Sequence, residues 1–254
     1  MNAVISMTTI PSRLKTLKPT LDSLLKQTER CPQIWINMPP NCAEFWQDAN
    51  GELYPDGWRG KYRIDDERIK VNYMNRDFGP VTKLGLLGKN GFGHTPHTPA
   101  ELRTTPIDDD TLIITVDDDI FYKPTWLATI LEATKRWPED VIGFSGWNVG
   151  GFLEGTGSYQ FAGAPSFCDV IEGWAGVAYR KRFFDGIEIL QSPPEFQFVD
   201  DVWISSQMMK KGIRRRLIAH PQAMPIDKNA PGLHTRLDFV ELNRHAVRSV
   251  GVWK

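Results

Sequence analysis

Thr111-Leu112-Ile113-Ile114-Thr115-Val116-Asp117-Asp118-Asp119-Ile120-Phe121 is an apolar, β-branched run that ends in three carboxylates. Four of the five residues from Leu112 to Val116 are aliphatic with no polar alternation, the pattern of a central parallel strand covered on both faces. Ligands of open α/β sheets bind beyond the carboxyl ends of the strands, so Asp117, Asp118 and Asp119 fall where chemistry is expected. If the extended geometry persists, Asp117 and Asp119 share one side and Asp118 points away. Two carboxylates about 5 Å apart repel by roughly 3 kcal/mol at an effective dielectric of about 20, a cost that a divalent cation reverses. Hard oxygen ligands favour Mg²⁺ or Mn²⁺, usually held by one or two carboxylates with substrate phosphates completing the shell. A second triplet, Asp108-Asp109-Asp110, lies ahead of the strand after Pro106 and reads as a solvated turn.

The rest of the chain suits one α/β domain. At 254 residues, 41% hydrophobic and 24% charged, it has material for a sizeable core. A formal net charge of -1 removes the footprint of a general nucleic-acid binder, so no nucleic-acid partner is expected. The dense basic run, Lys210 to Arg216, reads as a solvated helix end and turn, with a phosphate-facing role as its alternative. Cys31, Cys42 and Cys168 are unevenly spaced, which indicates neither a disulfide framework nor a zinc site. The early apolar segment is soon interrupted by Pro11, Arg13 and Lys15, unlike a signal peptide, and no run approaches the roughly 20 residues of a membrane span. A cytoplasmic location is expected, with no transmembrane segment; peripheral membrane contact stays open.

Read in order, Ala3 to Met7 and Gln33 to Met38 are strands around a helix from Leu14 to Gln27, whose apolar spacing only Pro19 disturbs. That is the start of a doubly wound sheet. The stretch 41–68 is polar, with Trp46 and Trp58 able to tuck it onto the body. Ile69 to Tyr73 is a third strand. Gly79-Pro80 then opens a helix whose first turn carries Lys83, either an anion site or a surface lysine beside a turn. The stretch 89–106 reads as a long mobile loop, in which prolines keep His94 and His97 from a helical zinc pairing. A helix opens after Lys123-Pro124, Val141 to Ser145 is a strand, and a loose Gly- and aromatic-rich segment follows. Val170 to Arg180 mixes strand residues with glycines that mark a bulge or close backbone approach. Asp200-Asp201 opens a helix that ends near Lys211-Gly212, Arg215 to Ala219 is a last strand, and a short amphipathic helix spans about 238–247. One acid of the pair could cap the helix while its neighbour acts as a general base.

Five motifs stand in order: Thr8-Thr9-Ile10-Pro11-Ser12-Arg13 after a strand, Asp77-Phe78-Gly79-Pro80 with Lys83, Val116-Asp117-Asp118-Asp119, Glu172-Gly173-Trp174-Ala175-Gly176, and Asp200-Asp201-Val202-Trp203. Together they resemble a GT-A-fold nucleotide-sugar glycosyltransferase, of the compact group related to family-two enzymes and to some large-virus glycosyltransferases. The resemblance implies a single Rossmann-like α/β domain over 1–254, with a mostly parallel central sheet flanked by helices. The nucleotide-sugar half would cover about 1–120 and the acceptor half about 121–254. It implies that Asp117 and Asp119 match the DxD of such enzymes, with Asp119 a direct ligand of Mn²⁺ or Mg²⁺ and Asp117 near the ribose or the metal. Thr8, Thr9, Arg13, Asp77, Gly79, Lys83, Asp117 and Asp118 would hold the nucleotide, and His234 would complete the metal shell. Asp201, or its neighbour Asp200, would be the base that deprotonates the acceptor, with Trp147, Glu172 and Trp174 near the acceptor cleft. Gln207 to Lys211 departs from the family's usual Arg motif after the base.

The activity so implied is transfer of a sugar from a nucleotide-sugar donor, most commonly UDP-linked in such enzymes, to a glycan or glycoconjugate hydroxyl with inversion. Two other readings are weighed against it. An aliphatic strand followed by Asp-x-Asp also begins dehalogenase-type phosphotransferases, in which Asp117 would attack phosphate. Nine tryptophans also fit a non-catalytic carbohydrate-binding module.

Overall fold

The computed structural model describes residues 2–10, 13–30, 32–39, 66–74, 76–87, 107–155, 160–161, 165–219, 223–227 and 238–253. The expectations placed on Trp46, Trp58, His94, His97 and His234 lie outside the described residues.

The chain begins with β1 (Ala3–Thr8), α1 (Leu14–Leu25), β2 (Gln33–Met38) and β3 (Ile69–Tyr73), the elements that apolar spacing predicts. A short 3₁₀ segment (Gly79–Leu87) precedes β4 (Leu112–Thr115), β5 (Ile120–Tyr122), α2 (Trp126–Arg136), β6 (Val141–Gly143) and β7 (Ser145–Trp147). Then come α3 (Val149–Glu154), β8 (Gln160–Phe161), β9 (Ser166–Cys168), β10 (Val170–Ile171) and β11 (Val177–Arg180). The chain closes with α4 (Asp200–Lys210), β12 (Arg215–Leu217), β13 (Ala223–Pro225) and α5 (Phe239–Val250).

Eight of the described strands form one sheet in the order β3-β2-β1-β4-β11-β6-β12-β9. All run the same way except β11, which is antiparallel to both β4 and β6, and β9 at the edge. The sheet is therefore mostly parallel, with helices on both faces. Side-chain alternation along β4 explains this layering. Leu112, Ile114 and Val116 pack with Leu17, Leu21 and Leu24 of α1 and with Trp126, Leu127 and Ile130 of α2. Ile113 points the other way, into Val4, Trp35, Val177 and Tyr179, beneath Ile204 and Met208 of α4. Burying each such aliphatic side chain contributes about 1.5–3 kcal/mol, so an uninterrupted apolar run is what a strand between two helical layers requires.

Two departures from the sequence reading shape the site. The run Val141 to Ser145 is not one strand, because the chain bends at buried Phe144 and leaves the large sheet to join a three-stranded sheet, β10-β7-β8. The described residues that follow are not loose: α3 comes next, closed by Gly155 in the left-handed region at φ 73°. A third apolar cluster, including Trp147, Val170, Phe196, Val202 and Val247, ties β7 and β10 to α4 and α5.

The basic run also finds internal partners. Arg214 and Arg216 each place Nε on the buried carboxylate of Asp140, at 2.8 and 2.7 Å. Arg216 also lies 4.4 Å from the ring centroids of both Trp137 and Phe167. The Asp108 to Asp110 triplet is the turn the sequence predicts, with Asp108 accepting the Thr111 hydroxyl at 2.6 Å.

Candidate active site

Because β11 runs against β4, with Val177 opposite Thr115, the start of β11 and the end of β4 meet at the same edge of the sheet. The loop 172–176 therefore faces the acidic turn. β4 stops at Thr115, and Val116 makes one more ladder bond, to the Ser6 carbonyl at 3.1 Å. Asp117 to Asp119 form a turn into β5 rather than a strand, yet their side chains divide as alternation predicts. The Asp118 side chain is buried, whereas those of Asp117 and Asp119 are 29% and 23% exposed. Helix α1 braces the turn. Arg13, at its N-terminus, reaches Asp118 Oδ1 at 3.0 Å and Asp119 Oδ2 at 3.3 Å, and the Thr20 hydroxyl donates to the Asp118 carbonyl at 2.9 Å. Burial pushes the Asp118 carboxyl up to about 6, against the opposing pull of Arg13 and the Thr9 hydroxyl.

Lys83 does not sit on an open helix N-terminus. It is 5% exposed, and its ammonium lies 3.1 Å from Asp117 Oδ1 and 3.2 Å from Asp200 Oδ2. Asp117, Asp200 and Asp201 raise its pKa well above the usual value although burial alone would lower it. A polar network at the ends of β1 and β2 anchors the 3₁₀ segment that carries it. The Ser6 hydroxyl donates to the Lys83 carbonyl at 2.6 Å, and Asn37 Nδ2 donates to the same carbonyl at 3.2 Å. Asn72 Nδ2 in turn donates to Asn37 Oδ1 at 2.9 Å, and the Thr8 hydroxyl to the Asn37 carbonyl at 2.9 Å. At the start of the segment Asp77 accepts the Gly79 amide at 2.8 Å. Gly79 has φ 72°, and a Cβ there would stand 2.5 Å from the Gln197 carbonyl oxygen.

Neither acid of the second pair caps its helix. The N-cap position is Val199, without a side-chain cap, and both aspartates lie in the first turn of α4, where the helix dipole favours negative charge. Asp200 is 6% exposed and paired with Lys83. Asp201 Oδ1 accepts the Gly173 amide at 3.1 Å. Burial first, and Asp200 second, raise the Asp201 pKa well above the carboxylate range, with Lys83 opposing. Glu172 is raised too, by burial, against hydrogen bonds from the Ser145 hydroxyl and the Trp174 side chain.

The structure thus brings Arg13, Lys83, Asp117, Asp118, Asp119, Glu172, Asp200 and Asp201 to one edge of the sheet. Six carboxyl groups face two cations there, and burial is the first cause of the upward shifts of Asp118, Glu172 and Asp201. Trp147 is a correction: at 6% exposure, with its ring 4.4 Å from that of Phe152, it belongs to the core and has no open face for a sugar. Trp174 is partly exposed in the loop. Residues that sequence reasoning missed are Tyr122, Ser145 and Gly173. Gly173 stands inside a quoted motif, and a Cβ there would lie 3.0 Å from Lys83 Nζ and 3.2 Å from Asp201 Oδ1.

No protein-family model and no curated protein sequence matches the chain. Among solved structures, it is similar to GalNAc-T7 with UDP, GalNAc and Mn²⁺, at a TM-score of 0.57 and 11% identity over 97% of this chain. The fold is that of a GT-A glycosyltransferase. The chain spans 48% of the length of that structure, so the likeness concerns this GT-A unit alone.

The donor set at the turn of the GT-A unit fits a divalent cation. Asp117 and Asp119 supply hard oxygens on the open side, while Asp118 is turned inward onto Arg13. Among the described residues no group of three or more His, Cys, Asp or Glu side chains converges on a metal-sized point. Two carboxylates with substrate oxygens is the arrangement common for Mg²⁺ and Mn²⁺.

Proposed function

We propose that the protein is a divalent-metal-dependent glycosyltransferase that moves a sugar from a nucleoside-diphosphate sugar, UDP-linked, to a glycan or glycoconjugate hydroxyl with inversion. The observation that carries this reading is the excess of carboxylates at the end of β4, in the loop before β11 and in the first turn of α4, in a fold that GalNAc-T7 shares with UDP and Mn²⁺ bound. The order of the five motifs favours the compact family-two-like group. The donor side falls before residue 120, and Glu172, Asp200 and Asp201 of the acceptor side come after it.

In this reading Asp117 and Asp119 hold Mn²⁺ or Mg²⁺, which when bound supplies positive charge to the departing diphosphate. Arg13 keeps Asp118 and Asp119 in place, and Lys83 holds Asp117 beside Asp200. Asp201 is the base: Asp200 is engaged by Lys83, whereas Asp201 is fixed by a single neutral amide. Its raised proton affinity suits removal of the acceptor hydroxyl proton as oxygen attacks the anomeric carbon. A panel of UDP-, GDP- and dTDP-sugars, tested with and without Mn²⁺ for thermal stabilisation and sugar release, tests the assignment. Manganese-dependent stabilisation by one nucleotide class is expected; none from any of them overturns it.

A further inference from the structure

Tyr122 lies at the end of β5, 1% exposed, with its ring tilted 4.6 Å from that of Trp126. Its hydroxyl accepts the backbone amide of Asp117 at 3.0 Å and donates to the Trp174 carbonyl at 3.2 Å. The Asp117 carbonyl is farther off, at 3.5 Å, so the phenol's one proton is best placed on Trp174. One residue along, Trp126 Nε1 donates to the Ala175 carbonyl at 2.8 Å. Gly176 then takes φ 95° against the Trp126 ring, where a Cβ would stand 2.5 Å from Cζ2. At the other end of the same loop the Gly173 amide donates to Asp201. The acidic turn and the first turn of α4 are thus joined through one hydroxyl and the loop 172–176, held at both ends.

We propose that the Tyr122 hydroxyl is a positioning group that fixes the separation between the turn carrying Asp117 and Asp119 and the base Asp201, through the Trp174 carbonyl and the Gly173 amide. The inference rests on the transferase reading given above and extends it to a residue that would touch neither donor nor acceptor. A phenol with both partners on backbone has no proton to offer substrate, but it sets where two groups on different elements stand. Attack geometry is sensitive on that scale: a misplacement of about 1 Å can cost about a hundredfold in rate.

The test is Tyr122→Phe in the full chain, which keeps the ring and removes only the oxygen. With the nucleotide sugar selected by the panel, kcat per folded molecule is expected to fall about ten- to a hundredfold, while UDP affinity in Mn²⁺, measured by calorimetry, stays within about threefold. A purely structural loss would lower the melting temperature and leave kcat per folded molecule unchanged. Hydrogen exchange supplies a reading that needs no substrate: the Gly173 amide is expected to exchange about tenfold faster in the variant. Unchanged kcat, a parallel loss of UDP affinity, or unchanged exchange at Gly173 would each overturn the proposal. Should Tyr122→Phe not fold, Trp126→Phe loosens the same loop by removing the bond to the Ala175 carbonyl and carries the same expectations. If the unaltered protein neither binds UDP with Mn²⁺ nor transfers sugar, the transferase reading fails, while exchange at Gly173 still decides the link from Tyr122.

Discussion

Replacing Asp201 by asparagine keeps an oxygen to accept the Gly173 amide and removes a charge that burial and Asp200 already disfavour. Asp201→Asn is therefore expected to bind UDP and Mn²⁺ normally and lose transfer by about 10²–10⁴, with a melting temperature unchanged or higher. The sign of the pH effect follows from the raised carboxyl. Between the ordinary aspartate range and the higher folded pKa, the folded protein holds a proton that the unfolded chain has lost, so stability falls as pH rises through that window. Transfer moves oppositely, gaining as Asp201 deprotonates, and in paired denaturation and rate measurements Asp201→Asn should flatten the residual rate profile and make the fall in stability shallower, with the raised Asp118 and Glu172 still contributing to it. Asp119→Ala is expected to abolish Mn²⁺-dependent UDP binding measured by calorimetry; retained binding would remove that aspartate from the donor site. Lys83→Met leaves Asp200 buried with no cation and should cost about 3–5 kcal/mol in urea unfolding. The acids themselves were legible in the sequence, because an aliphatic strand aimed the triplet at a crevice. The burial of Lys83 was not, since its carboxylate partners come from β4 and α4, and nothing local to Gly79-Pro80 announces them.

Elements read well where one periodicity ran unbroken. β1, β2 and β3 carry period-compatible apolar runs bounded by turn residues, and α1 keeps its leucine spacing despite Pro19, whose absent amide the helix tolerates. The bend at Phe144 escaped because Val-Ile-Gly-Phe carries no polar break, and the packing of Gly143 against Ile171 shows where the chain turns away. The reversed direction of β11 escaped for a related reason: apolar content reports burial, not orientation, and orientation is settled by partners on β4 and β6. Gly176 was legible as a special backbone position. Gly176→Ala must hold alanine at φ 95° against the Trp126 ring, and a loss of about 1–3 kcal/mol from backbone strain, plus the steric clash, is expected in chemical denaturation.

Across the whole molecule, α/β class and a mostly parallel sheet followed from alternating strand and helix patterns, whereas the joining of the two acid sites depended on β11 bringing loop 172–176 to the end of β4. Trp147 shows the limit of the resemblance: a tryptophan it put near the acceptor cleft went to the core beside Phe152. Among the described residues no helix is long and apolar enough to cross a membrane. Order of synthesis adds a constraint. When Val141–Gly143 emerges from the ribosome, both strands that will flank it in the finished sheet have still to emerge. Nascent chains arrested with β6 outside the ribosome and Val177–Arg180 still within it should therefore expose β6 to protease, and protection should appear only once that later strand has emerged and slotted in beside it.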